Sequence, residues 1–149
     1  MSQEPELLVL DASSAVAEAL RARGLALFQN PQLELHMSEA AWSETRHELG
    51  RRVGVMGARQ GLLEEEQEAL YTAALGTLET CLHIIPVEAY TPYEETARAR
   101  VPADPNDWPS AALALALDTG IWTEDRDFFG SGLATWLTPV LQHHLTENP

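Results

Sequence analysis

The apolar segments of this chain are short, and each is followed by a stretch with helical spacing. LLVL at 7–10 ends at Asp11, and LELHMS at 33–38 alternates apolar and polar. LHIIPV at 82–87 stops at Pro86, and IWT at 121–123 and ATWLT at 134–138 complete the set. Continuous apolar runs of this length suit strands buried on both faces. Strands that alternate with helices need crossover connections, which points to a doubly wound α/β domain with a mainly parallel sheet. At 149 residues the chain is expected to form a single domain, 1–149.

Between these runs the helical patterns can be placed. SSAVAEALRAR reads as one helix, with Ser13 or Ser14 as N-cap, Ala15, Val16, Ala19 and Leu20 on one side, and Gly24 as its end. Ser38 opens a second through SEAAWSETRHELGRRV, and Leu62 to Cys81 forms a third with Glu64, Glu65 and Glu66 exposed. PYEETARAR makes a short helix opened by Pro92. After the breaker-rich PADPNDWP comes the strongly helical SAALALALD, which Gly120 should close.

In open parallel sheets ligands bind outside the carboxyl ends of the strands. Asp11 follows the first strand and Asp125 follows the fourth. Asp107 opens the helix that feeds the fourth strand, and Glu44 lies one to two turns into the helix after strand two. Each has a plainer reading alone: Asp107 as an N-cap, Glu44 as a surface residue, Asp125 and Asp127 as turn formers. Asp11, ending a buried strand, is poorly solvated and harder to set aside. Two carboxylates about 5 Å apart repel by roughly 3 kcal/mol at an effective dielectric of about 20. Four together need protons or a cation, and hard oxygen ligands suit Mg²⁺ or Mn²⁺.

Composition removes several rivals. The chain has nine arginines and no lysine, which argues against phosphoacceptor receiver domains and aspartate-based phosphatases, since both use a lysine near the phosphoryl group. No G-K-[ST] motif exists for a P-loop. Glu44 and His47 form an E-x-x-H, but an iron-binding bundle needs a second copy. His47, His143 and His144 read as exposed, and His36 and His83, inside strands, as structural. The net charge of −14 disfavours non-specific nucleic-acid binding. Arg46, Arg51, Arg52 and Arg126 lie near acids, placed either to pin phosphates or to form ordinary ion pairs. One cysteine, no membrane-length apolar run and the non-basic start MSQEPELLVLD lead to an expected cytoplasmic location.

The order LLVLDASS, WSETRHEL, DPNDWPSAALALA, GIWTEDRDFFGSG and TWLT resembles PIN-domain nucleases over nearly the whole chain. The T-x-D-x-D-F element, here Thr123, Asp125, Asp127 and Phe128, is its most specific part. The resemblance implies that Asp11, Glu44, Asp107 and Asp125 are catalytic acids that bind metal. Asp127 would be a less constant fifth acid, with Ser13 and Thr123 orienting the carboxylates. It further implies a three-layer α/β/α sandwich with a mainly parallel central sheet and Mg²⁺- or Mn²⁺-dependent hydrolysis of RNA. Many small members are VapC-type toxins, usually homodimers held by a partner antitoxin. The chain departs from them in its added 54–81 segment and its acidity. The alternative is a non-catalytic PIN-like scaffold that binds a partner protein.

Overall fold

A computed structural model describes residues 4–149. Met1 to Gln3, the first residues of the non-basic start, lie outside the described residues. Five strands, β1 (Glu6–Leu10), β2 (Leu33–Ser38), β3 (Leu82–Ile85), β4 (Gly120–Trp122) and β5 (Thr135–Trp136), form one sheet. Its order is β3-β2-β1-β4-β5, and every pairing is parallel. Among the described residues the α-helices are α1 (Ala12–Glu18), α2 (Ala22–Phe28), α3 (Glu39–Gln60), α4 (Glu64–Cys81), α5 (Glu94–Arg100), α6 (Trp108–Leu117) and α7 (Thr138–Glu147).

Alternation along the strands decides which residues enter which layer. Leu8 and Leu10 of β1, and Leu35 and Met37 of β2, pack with residues of α1 to α4 and α7, including Ala15, Phe28, Leu49, Leu78 and Leu141. Val9 and Ile121 face the other way and meet Ala97 of α5 and Ala111 to Ala114 of α6. The result is a three-layer α/β/α sandwich. α6 is buried from Pro109 to Ala114, as a helix apolar on every side must be. No described helix is long and apolar enough to cross a membrane.

Three expectations need correction. The first helical stretch is two helices: Asp11, not Ser13 or Ser14, is the N-cap residue, and the chain turns before α2. Gly24 lies inside α2. Its missing side chain matters because a Cβ there would sit 2.1 Å from the Glu18 carbonyl oxygen. The buried Glu18 carboxylate accepts two hydrogen bonds from Arg23, at 2.8 and 3.1 Å, which fixes the corner. Second, Gly120 does not close α6. Asp118 takes the left-handed conformation (φ 52°), and Gly120 opens β4, where a Cβ would come 2.9 Å from the Ala134 carbonyl. Third, α3 runs on past Val53 to Gln60 and is stopped by Gly61 (φ 70°). Ser38 caps its start by accepting a hydrogen bond from the Ala41 N–H (3.0 Å).

Candidate metal centre

The chain runs from β1 outward to β2 and β3, then returns to β4 on the other side of β1. The strand order therefore reverses between β1 and β4, and a crevice opens beyond their carboxyl ends. The ladder continues one residue past both strands: the Asp11 N–H donates to the Trp122 carbonyl (3.0 Å) and the Thr123 N–H to the Trp136 carbonyl (3.1 Å). This fixes the backbone from which Asp11 and Asp125 project. An open cleft of about 1020 Å³ lies there, lined among others by Asp11, Glu44, Asp107 and Asp125.

Asp11 is the most constrained of these acids. Its Oδ1 accepts a hydrogen bond from Ser110 Oγ (2.8 Å), and its Oδ2 accepts from Ser13 Oγ and Thr123 Oγ1 (both 3.1 Å). Burial raises its pKa, and those three hydroxyls pull in the opposite direction. Asp107 is the N-cap residue of α6 yet makes no capping hydrogen bond. Its Oδ2 is buried without a partner. Burial first, and then Asp125, Asp104, Asp11 and Asp127, push its pKa up to about 7. Asp125 accepts from the Asp127 N–H (2.9 Å) and so starts the short 3-10 turn Arg126–Phe128. One carboxylate oxygen from each of Asp107, Asp125 and Asp127 lies within 4.8 Å of the other two.

Glu44 and Asp11 share the cleft but stand outside that three-way group. Glu44 is exposed on α3 at the rim; partial desolvation, then Asp11, Glu48, Asp104 and Asp125, raise its pKa. Water screens much of that repulsion. Glu124 turns aside and accepts hydrogen bonds from the Thr138 hydroxyl (2.7 Å) and N–H (3.3 Å) at the start of α7. Asp104 shapes its loop through the Asn106 N–H (2.9 Å). Ser110 was not anticipated. It lies three residues after Asp107 on the same helix face. Of the four arginines close to acids in sequence, Arg52 lines the cleft, Arg51 pairs with Glu48 (2.9 Å) and Arg46 lies over the Trp42 ring (5.9 Å). Arg126 is exposed in the turn after Asp125. His47 is exposed, whereas His144 is not fully so. It packs against Trp136 and contacts Glu6 (2.9 Å).

A family model described as PIN domain matches residues 9–146. The chain belongs to the PIN-domain family. PIN domains are generally metal-dependent nucleases, and the acid-lined cleft lies at the sheet edge where the strand order reverses. No curated protein matches the chain. The donor set fits a divalent cation: three carboxylate oxygens converge, and one oxygen of Asp107 is buried with nothing to satisfy it.

Proposed function

We propose that this PIN domain hydrolyses RNA phosphodiester bonds with Mg²⁺ or Mn²⁺ held by Asp107 and Asp125, with Asp11 and Glu44 completing the site. The observation that carries the reading is the convergence of Asp107, Asp125 and Asp127 around an unsatisfied buried oxygen. All-oxygen donors favour a hard cation over a soft one. When bound, the cation supplies Lewis-acid stabilisation of phosphoryl charge and a lowered pKa for water.

The remaining work falls to the chain's own groups. Ser13, Thr123 and Ser110 fix the Asp11 carboxylate in one orientation. Asp125 or Asp107, each partly buried, accepts the proton of the attacking water. Arg52, on the cleft wall, meets a substrate phosphate. Asp127 adds negative charge beside the pair and helps retain the cation.

The test is cleavage of labelled single-stranded RNA and single-stranded DNA by the purified protein with Mn²⁺, with chelator, and with Mn²⁺ after Asp125→Asn. RNA cut only with Mn²⁺, and at least about 100-fold more slowly by the variant, supports the reading. Intact RNA under every condition would favour the non-catalytic scaffold. The proposal extends to the toxin role of small family members. In that case expression arrests growth, Asp125→Asn abolishes the arrest, and a companion antitoxin chain restores growth.

A further inference from the structure

A second group of potential ligands lies away from the acidic cleft. Leu33, Leu35 and Met37 of β2 enter the core beneath α3 and α4, so Glu34 and His36 emerge on the opposite face. His36 and His83 are register partners on parallel β2 and β3. Their rings stack with centroids 4.6 Å apart and planes 23° apart. Glu34 Oε1 lies 3.4 Å from His36 Nε2 and 3.8 Å from His83 Nε2. One donor atom of each residue lies within 4.8 Å of the other two, and none of the three lines the acidic cleft.

His36 is the unusual member. Its side chain is 14 % exposed, and both ring nitrogens are buried without a hydrogen bond. Glu34 is close enough for an ion pair but outside hydrogen-bond geometry, so the imidazole is left unsatisfied. Buried polar groups are seldom left so, because each carries a desolvation cost. A neutral imidazole is the form that binds metal.

We propose that Glu34, His36 and His83 form a two-histidine, one-carboxylate site for a borderline transition-metal ion of the Zn²⁺ type. Two ligands about 2.0 to 2.1 Å from a tetrahedral Zn²⁺ lie about 3.3 Å apart, close to the Glu34–His36 separation. The stacked rings must splay for both nitrogens to point at one ion. His83 is free to do so, with its side chain 59 % exposed. Mg²⁺ disfavours nitrogen ligands, so this site and the all-oxygen cleft select different ions. Three protein ligands leave a fourth position for water. Because β3 is a sheet edge, an ion held by His36 and His83 would pin that edge to β2.

Tag-free protein in millimolar Mg²⁺, added to fill the cleft on the reading proposed above, is titrated with Zn²⁺ by calorimetry and with Co²⁺ by visible absorption. One equivalent should bind, and the melting temperature should rise with it. His83→Ala and Glu34→Gln, both at exposed side chains, should each weaken Zn²⁺ binding about 100-fold or more, with circular dichroism unchanged. Asp107→Asn should leave Zn²⁺ affinity as it was. Undetectable binding, binding that survives His83→Ala, or binding that disappears with Asp107→Asn would each overturn the proposal.

Discussion

At the start of α6, Asp107 holds one carboxyl oxygen in a buried position without a partner, and its pKa stands at about 7 against an ordinary value of 3.8. Between those values the metal-free folded protein binds a proton that the unfolded chain does not. Stability therefore falls as pH rises through that window, and the loss is complete above about 7. Asp107→Asn has no such charge to bury. Without metal the melting temperature of the variant should rise relative to wild type from pH 4 to about pH 7 and then level off, and melting curves with chelator would show it. A constant difference across that range would mean that Asp107 is not the strained group. Asp11 is held differently, by three hydroxyls. Ser110→Ala removes the shortest of these bonds, and a lost hydrogen bond to a charged group costs about 1.5–3 kcal/mol. The variant should bind Mn²⁺ more weakly at pH 7, read by the Mn²⁺-dependent rise in melting temperature. Asp11, Asp107 and Asp125 were legible because each sits at a strand end or a helix start, which sequence periodicity exposes. Ser110 was not, because its partner lies 99 residues away and a serine in an alanine-rich helix looks neutral. The 3-10 turn brings the Asp127 carboxylate within 4.8 Å of Asp107 and Asp125, a closeness that local sequence does not display.

Consecutive residues after β4 diverge: Asp125 turns toward the acids, while Glu124 secures the start of α7. Replacing Asp125 by Asn should abolish cleavage, whereas Glu124→Gln should keep most of it. The second change should cost on the order of 1 kcal/mol of stability as a weakened helix start. Equal losses of activity would show that the divergence is irrelevant to chemistry. Strands were well marked at this scale: LELHMS matches β2 residue for residue, because its alternation coincides with a strand whose two faces meet different layers. Helix ends were harder to read wherever a glycine serves packing. Gly54 and Gly57 would each cost a helix about 1 kcal/mol, yet α3 runs through both, and at Gly57 a Cβ would meet the Gln67 side chain of α4. Gly24 is the strictest case, since backbone and not a flexible side chain opposes any Cβ there. Gly24→Ala should destabilise by about 1–3 kcal/mol despite its helical location. A thermal scan would register this as a fall of several degrees, and an unchanged or raised melting temperature would mean that the α1–α2 corner adjusts freely.

Over the whole molecule the charge of −14 opposes the approach of any polyanion, so a nuclease of this composition must confine attraction to its cleft. Most of the arginines are already engaged. Arg21 and Arg23 pair with Glu18, Arg51 with Glu48 and Arg98 with Glu94, and Arg100 donates to the Ser131 carbonyl. Arg52 is the arginine that lines the acidic cleft. On the proposed reading, substrate is held by the cation and by about one or two arginine–phosphate contacts. Single-stranded RNA binding loses affinity with salt at a log–log slope of about −0.7 per contact. Raising KCl from about 50 to 200 mM should then weaken binding less than ~10-fold, where a strongly basic binder would lose on the order of 10³-fold or more. The measurement is the KM for labelled single-stranded RNA at both salt concentrations with saturating Mn²⁺. Arg52→Ala should raise KM and flatten the salt dependence further while leaving the pH profile of kcat in place, because it removes a phosphate contact and not a proton acceptor. A steep salt dependence that survives Arg52→Ala would place the substrate on another surface of the molecule and leave the acidic cleft without its proposed role.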